Sequence, residues 1–256
     1  MSTSLPVLRF RDDASAFPPG FFSRHLLVPL ALALLCSAAL RQAGGDLWLA
    51  DAIFDLEGGR WILREHWFTS GVIHQGGKWA SALGALLVLG AYAFAARRHD
   101  WRHLRQPLLY LALATALGAG SVSLLKSLTH VACPWDLARY GGPQATAAPV
   151  YATREAAGAA GHCFPAGHAS AGYAWVALYF AALLWRPRWR WHGLAIGVAT
   201  GLLFGAGQQL RGAHFLSHDL WTLVVCWTMS LALYCVFVRD QPHPVMSPAS
   251  PPGTTP

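Results

Sequence analysis

Polar and ionisable residues stand where long apolar segments begin or end, in a chain with few charges elsewhere. They are Lys126, His168, Gln208, Arg211, His214, His218 and Asp219. Such side chains are costly in or beside membrane helices, which makes them candidates for function. Three separate segment ends would bring them to one face of a helical bundle.

These residue types suit phosphoryl transfer. Imidazole changes charge near neutral pH, so one histidine can act as nucleophile and a second as general acid. Lysine and arginine attract an anionic substrate. The Gly167–His168 step opens an apolar segment, and free N–H groups at a helix start favour a bound phosphate. A carboxylate such as that of Asp219 can fix the tautomer of a nearby histidine. This chemistry requires neither a metal nor a cofactor.

The composition indicates a membrane protein. Hydrophobic residues are 54% of the chain and charged residues 12%, against about 25% charged residues in soluble domains. The apolar residues form runs that approach the roughly 20 residues of a transmembrane helix. The net charge is +7, but the arginines lie at the ends of apolar runs and form no basic stripe. That distribution argues against a nucleic-acid partner.

Six apolar segments predict an all-α bundle of six transmembrane helices, because backbone in lipid must satisfy its own hydrogen bonds. Their cores are Leu26–Leu40, Ser81–Ala96, Leu108–Leu125, Ala169–Trp185, Leu194–Leu210 and Leu220–Val238. The start is polar and no cleavage site follows the first run, so we expect a retained helix rather than a signal peptide. The predicted organisation is a segment over 1–24, a membrane domain over 25–239 and a disordered, Pro- and Ser-rich tail over 240–256.

Lysine and arginine counts predict the orientation. Eleven fall in the short alternate connections and termini of one side, and eight fall in the longer connections of the other. The positive-inside rule makes the first side cytoplasmic. Both termini then lie inside a bacterial inner membrane, and the candidate residues and the connections over 42–80 and 126–167 face the periplasm.

The first outer connection alternates apolar and acidic residues around Asp51 and carries interfacial tryptophans such as Trp48. We expect one or two short interfacial helices there. They would cover the outer face, or would bring Arg60, His66 or His74 to a substrate.

Three blocks resemble the type-two phosphatidic acid phosphatase superfamily of membrane phosphatases, whose fold also occurs in vanadium haloperoxidases. That family's pattern is Lys-x6-Arg-Pro, then Pro-Ser-Gly-His, then Ser-Arg-x5-His-x3-Asp. The corresponding blocks here are Lys126-Ser-Leu-Thr-His-Val-Ala-Cys133-Pro134, Pro165-Ala166-Gly167-His168 and Gly207-Gln208-Gln-Leu-Arg211-Gly-Ala-His214-Phe-Leu-Ser-His218-Asp219. The resemblance covers about Lys126 to Trp221.

The resemblance implies a role for each matching residue. His214 would be the nucleophile, and His168 would protonate the leaving oxygen and later help to activate water. Lys126 and the Gly167 backbone N–H would hold phosphate oxygens.

Several positions depart from the family pattern. Cys133 stands for the arginine of the first block, Ala166 for the serine of the second, and Gln208 for the arginine of the third. Arg211 lies three residues after Gln208, and on a continuing helix it would share the same face. It is therefore a candidate to supply the missing guanidinium.

The carboxylate of the family's third block is also displaced. His218 stands four residues after His214, and Asp219 follows it. Charge favours Asp219 as the partner of His214 Nδ1, whereas strict register favours His218, and both assignments remain open.

Asp136 and Arg139 follow the first block and precede Gly141-Gly142. Two charges in an outer loop are candidates for binding an anionic headgroup. A salt bridge at a turn is an equally good interpretation.

Two of the five cysteines fall in the same outer loop, Cys133 and Cys163. The compartment outside a bacterial inner membrane is oxidising. We therefore predict a Cys133–Cys163 disulfide, which would tie the first block to the second. Cys36, Cys226 and Cys235 fall within apolar segments, where free thiols act as small apolar groups.

The predicted function is hydrolysis of a lipid phosphate or lipid pyrophosphate at the periplasmic leaflet through a phosphohistidine, with the lipid bilayer and its phosphate esters as partners. A lipid phosphotransferase would use the same histidines. An inactive member of the family and a haem protein with histidine ligands are further alternatives, although haem ligands usually lie deeper within a bundle.

Overall fold

The computed structural model describes residues 17–129, 131–143 and 161–239, and these are helical with no extended strand. The α-helices are α1 (Val28–Gln42), α2 (Gly45–Leu56), α3 (Gly77–Arg97), α4 (Arg105–Leu128), α5 (Gly167–Tyr173), α6 (Ala177–Trp185), α7 (Arg190–Leu210) and α8 (Leu216–Arg239). π-Helical turns over Ser23–Leu27 and Trp67–Gly76 precede α1 and α3. Single 3-10 turns lie at Ile62–Arg64, Arg102–Leu104, Pro134–Asp136, Ala138–Tyr140, Ala174–Val176 and Pro187–Trp189.

Five helical runs in the described part of the chain are long and apolar enough to cross a membrane. They are Ser23–Gln42, Ile62–Arg97, Arg102–Leu128, Pro187–Leu210 and Leu216–Arg239. These five contain five of the six predicted segments, so the prediction of a multi-pass, all-helical membrane protein is confirmed. Residues 1–16 of the predicted segment over 1–24, and the predicted tail over 240–256, lie outside the described residues.

The remaining predicted segment forms a broken helical run. Helix α5, a 3-10 turn at Ala174–Val176 and α6 follow one another over 19 residues. The run contacts α3, α4, α7 and α8, and most of its side chains are buried inside the bundle. Whether it completes a sixth crossing stays a prediction.

Glycines allow α5 and α7 to pack closely. A Cβ atom added to Gly172 would lie 2.5 Å from the Gly201 nitrogen, and one added to Gly197 would lie 2.3 Å from the Val176 nitrogen. Backbone cannot move aside as a flexible side chain can, so these positions exclude any larger residue. These contacts fix α5, the short helix that carries His168, and the turn after it against α7.

The first outer connection is more helical than the sequence indicated. Helix α2 and a 3-10 turn occupy its first part, and the Trp67–Gly76 turns run directly into α3. The His66 imidazole begins these turns by accepting a hydrogen bond at Nδ1 from the Phe68 N–H, at 3.3 Å. The helical run of α3 therefore begins well before Ser81, where the apolar pattern placed it. Whether α2 lies at the membrane surface stays a prediction.

Helix α2 and the loop over 131–143 form an outer cap over the bundle. Its apolar centre consists of Ala50, Leu137, Tyr140 and Phe215, with Phe54, Trp61 and Ala132 packed around them. Asp46 at the start of α2 accepts hydrogen bonds from the Ser217 N–H at 2.8 Å and from the Ser217 hydroxyl at 2.5 Å. Because Ser217 lies in the first turn of α8, the carboxylate satisfies free backbone donors there and favours the helix dipole.

We predict that Gly172→Ala destabilises the protein, because its methyl group would meet the α7 backbone. Overpacking of this kind costs about 1–3 kcal/mol, and thermal unfolding in detergent should show a lower midpoint. Gly90→Ala on α3 is the matched control, since a Cβ there has no atom within 4 Å. An unchanged midpoint for Gly172→Ala would contradict the described packing.

Candidate functional site

The end of α4 meets the start of α5 at Lys126 and Gly167. A Cβ atom on Gly167 would lie 3.4 Å from Lys126 Nζ and 3.3 Å from its Cδ. The lysine side chain therefore crosses directly over the first residue of α5, where backbone N–H groups are free. His168 follows on the same turn. Two of the three sequence blocks thus come together through direct contact.

The third block reaches this point through the short loop between α7 and α8. Gly212 has a φ of +68°, which suits glycine, and a Cβ on it would lie 2.4 Å from the Trp61 ring. The Gly212 carbonyl accepts a hydrogen bond from the Trp135 N–H at 2.9 Å. These contacts fix the turn that places His214, whose exposed fraction is 6%.

A backbone carbonyl orients the His214 ring. Its Nδ1 lies 2.7 Å from the Cys163 carbonyl oxygen. A carbonyl can only accept a hydrogen bond, so Nδ1 carries the proton. In a neutral imidazole Nε2 then holds a lone pair, which is the state that a nucleophile needs.

The predicted Cys133–Cys163 disulfide is present in the structure. It joins the loop after α4 to the segment before α5, and the Cys163 N–H donates to the Val131 carbonyl at 3.0 Å. Covalent and backbone constraints therefore both act on the residue whose carbonyl holds His214.

The surroundings of His214 favour its neutral form. Burial lowers the pKa of His214 well below its usual value of 6.5, and the nearby His218, Lys126 and His168 lower it further. The hydrogen bond to Cys163 acts in the opposite direction and does not overcome the burial. Of these neighbours, Lys126 and His168 are the residues that the sequence blocks predicted to lie beside His214.

The two candidate partners of His214 occupy different places. His218 Nδ1 lies 3.5 Å from His214 Nδ1, at the limit of a hydrogen bond. Asp219 accepts a hydrogen bond from Gln209 Nε2 at 2.5 Å and packs on Gly205. The nearest hydrogen-bonding partner of His214 Nδ1 is instead the Cys163 carbonyl oxygen. Neither the charge of Asp219 nor the register of His218 predicted this partner.

Gln208 and Arg211 lie together, as the helical spacing predicted. Arg211 NH1 donates to Gln208 Oε1 at 3.4 Å, and its Nε donates to the Arg64 carbonyl at 2.7 Å. The Gln208 amide then donates through Nε2 to His74 Nδ1 at 3.1 Å. Arg211 is buried, with an exposed fraction of 7%.

His74 connects this network to His168. Their ring centroids are 4.2 Å apart, and His168 Nε2 lies 3.3 Å from the Ile73 carbonyl oxygen. Ile73 packs against Gly207, where a Cβ would lie 2.6 Å from its Cγ2. The turns before α3 thus place Ile73 and His74 at the candidate site. Of the three candidates from this connection, Arg60, His66 and His74, it is His74 that contacts a site residue.

Asp136 and Arg139 hold the outer cap together. Asp136 Oδ2 accepts a hydrogen bond from the Cys133 N–H at 3.3 Å. Arg139 forms a two-pronged ion pair with Asp51 of α2, with Nε 2.6 Å from Oδ1 and NH2 bonded to Oδ2. This hydrogen-bonded pair lowers the pKa of the Asp51 carboxyl. Arg139 is therefore in a salt bridge, but with Asp51 of α2 and not with Asp136 in a local turn.

One close group of potential metal-binding side chains occurs among the described residues, at Cys133, Asp136 and Cys163. The two sulfurs are bonded to each other and offer no thiolate to a metal.

Comparison with known protein families gives one match. The family model described as the PAP2 superfamily matches residues 107–242, which is more than half of the chain. The matched region runs from α4 to the end of α8 and contains all three sequence blocks. No curated protein and no solved structure matches the chain.

We predict that His214 titrates below pH 6.5, because burial and neighbouring cations disfavour its charged form. Its neutral form should persist as the pH falls from 7 to 6. Nuclear magnetic resonance of histidine-labelled protein would measure the titration, with His214→Ala identifying the signal. A midpoint at or above pH 6.5 would contradict the described environment.

Proposed function

The chain belongs to the PAP2 superfamily, whose members are generally phosphatases, and we propose that it hydrolyses a lipid phosphate or lipid pyrophosphate through a phosphohistidine. The observation that carries the proposal is the state of His214. Its Nδ1 donates to the Cys163 carbonyl, which leaves a lone pair on Nε2, and the charge of Lys126 is within electrostatic range of the ring.

In the first step of the proposed reaction, His214 Nε2 attacks phosphorus. A bond forms between nitrogen and phosphorus, and the bond from phosphorus to the leaving oxygen breaks. Without substrate, burial lowers the pKa of His168 to about 4, so the negative charge of the bound phosphate must stabilise its charged form. In that form His168 gives a proton to the leaving oxygen and becomes neutral, and the lipid leaves as an alcohol or a lower phosphate. In the second step, water attacks phosphorus and the nitrogen–phosphorus bond breaks, which releases phosphate and neutral His214. His168 takes the water proton and returns to its charged form.

Lys126 and the first N–H of α5 are the proposed ligands of the phosphate oxygens. The lysine crosses over Gly167, and a side chain larger than glycine's would separate the two donors. Arg211 and Gln208 are bonded to each other and, through His74, adjoin His168. We propose that this network replaces the arginine and serine donors that the family pattern has at Cys133, Ala166 and Gln208.

A lipid substrate is supported by where the site lies. Lys126, His168 and His214 stand at the ends of apolar helical runs, and an amphiphile presents its phosphate at that depth. The charge distribution predicts that this end faces the periplasm and that the protein lies in a bacterial inner membrane. Asp136 and Arg139 are proposed to act through the cap rather than on the phosphate, because their hydrogen-bonding atoms are engaged there.

We predict that purified protein releases phosphate from lipid phosphates in detergent and that two alanine variants lose this activity. His214→Ala should lower the rate by at least about a thousandfold, as loss of a nucleophile does. His168→Ala should lower it by about a hundred- to ten-thousandfold through loss of the general acid. His192→Ala, in the first turn of α7 at the opposite end of the bundle, is the matched control.

Full activity in both variants would refute the mechanism. Phosphate appearing on a second lipid rather than in solution would establish a phosphotransferase instead. With radiolabelled substrate, wild-type protein quenched in alkali should carry label that is lost in acid and absent from His214→Ala.

A separate prediction concerns the disulfide. The double variant Cys133→Ser with Cys163→Ser keeps the backbone carbonyl of residue 163 but removes the disulfide that fixes it. The His214 ring would therefore be held less firmly. Loss of this positioning should lower kcat by about ten- to a hundredfold and change KM less. Cys36→Ser, which alters an exposed free cysteine on α1, is the control. An unchanged kcat in the double variant would show that the backbone hydrogen bond to Val131 suffices.

A further inference from the structure

A cavity lies at the end of the bundle opposite His168 and His214. It has a volume of about 520 Å³ and lies between the starts of α1 and α7, helix α6 and the end of α8. Its polar lining comprises Arg24, His25, Tyr179 and Arg190, and its other walls are apolar or aromatic. None of its lining residues in the described part of the chain is a carboxylate.

The two arginines are the cations that this cavity offers to a ligand. Both ring nitrogens of His25 are already engaged, Nδ1 with the Phe21 carbonyl at 2.8 Å and Nε2 with the Tyr179 hydroxyl at 2.9 Å. Arg190 also has local partners, since its NH1 donates to the Pro187 carbonyl at 3.1 Å and its guanidinium lies beside the Tyr179 hydroxyl, but both of these partners are neutral. A cavity with two guanidiniums and no lining carboxylate is complementary to an anion.

An apolar groove continues from this cavity along the bundle. It has a volume of about 330 Å³ and is walled by α1, α7 and α8, from Leu26 to Cys36 on α1 and from Leu220 to Thr228 on α8. The two spaces share the wall residues Pro29, Leu194 and Trp227. The two spaces are therefore adjacent, and together they are called the composite cavity, with a cationic end and an apolar arm.

The length of the arm fits a lipid chain. Cys36 follows Leu26 by ten residues, a rise of about 15 Å along a helix. Half of the hydrocarbon core of a bilayer is about 15 Å thick. Most of the Ser23–Gln42 run is exposed at the surface of the bundle, so an acyl chain can enter the groove from the surrounding membrane.

We propose that this composite cavity binds one anionic membrane phospholipid, with its phosphate between Arg24 and Arg190 and an acyl chain between α1, α7 and α8. Basic pockets between membrane helices are suited to such headgroups. A soluble anion would leave the arm empty, and a neutral lipid would leave the two guanidiniums unpaired. The site is separate from the candidate phosphatase centre, and the lipid bound there is a ligand and not a substrate.

The test is native mass spectrometry of the full-length protein in mild detergent. The protein is titrated with phosphatidylglycerol or with phosphatidylcholine of identical acyl chains. Wild-type protein should bind phosphatidylglycerol about tenfold more tightly, since each arginine contributes roughly three- to fivefold at a surface that salt screens. Arg24→Gln with Arg190→Gln should abolish the preference, and Arg24→Gln alone, which alters an exposed side chain, should reduce it about threefold.

Two matched controls test where the lipid binds. Arg188→Gln changes a cation at the same end that does not line the cavity, and it should keep the preference. Val198→Trp fills the groove and should weaken both lipids, whereas Ile196→Trp, on the opposite side of α7 and exposed, should weaken neither. Equal binding of the two lipids by wild-type protein, loss of preference in Arg188→Gln, or wild-type affinity in Val198→Trp would each overturn the proposal. Phosphate release does not enter these measurements, so their outcome is independent of the proposed function.

Discussion

The hydrogen bond between His214 Nδ1 and the Cys163 carbonyl is the contact on which the candidate site depends. It fixes the ring orientation and the tautomer, and so decides which nitrogen has a lone pair. Much of the structure around this hydrogen bond holds its donor and its acceptor in place. The disulfide and Val131 fix Cys163, while the Gly212 turn, packed on Trp61, fixes the loop that carries His214.

A carbonyl does part of what a carboxylate does in this position. Both accept the Nδ1 proton, but only a carboxylate carries a full negative charge to offset that of an imidazolium. A buried histidine held by a carbonyl beside Lys126 is therefore strongly biased toward its neutral form. That bias keeps Nε2 unprotonated and so available for the proposed attack on phosphorus. It also makes the cationic phosphohistidine less stable, which favours its breakdown by water.

The sequence was most informative where side-chain type carries the function. Lys126, His168 and His214 were found because charged and titratable groups are rare at the ends of apolar segments, and the cysteine pair was found because both residues lie in one outer loop. The carbonyls of Cys163 and Ile73 could not be found in this way, since every residue has a carbonyl. The contact between His74 and His168 was also hidden, because it joins residues 94 positions apart through the geometry of the α3 start.

The tightness of packing differs between the two sides of α7. Against α5, glycines bring the two backbones into contact at Gly172 and Gly201, so the part of α5 that follows His168 has no room to move. On its other side, between α1 and α8, the bundle leaves an apolar groove at Val198. Close packing suits a site that must hold reacting atoms in place, whereas an open groove in lipid must be filled by something apolar. One helix can therefore support both the proposed catalytic end and the proposed lipid site, because glycines lie where it meets α5 and larger aliphatic residues line its groove.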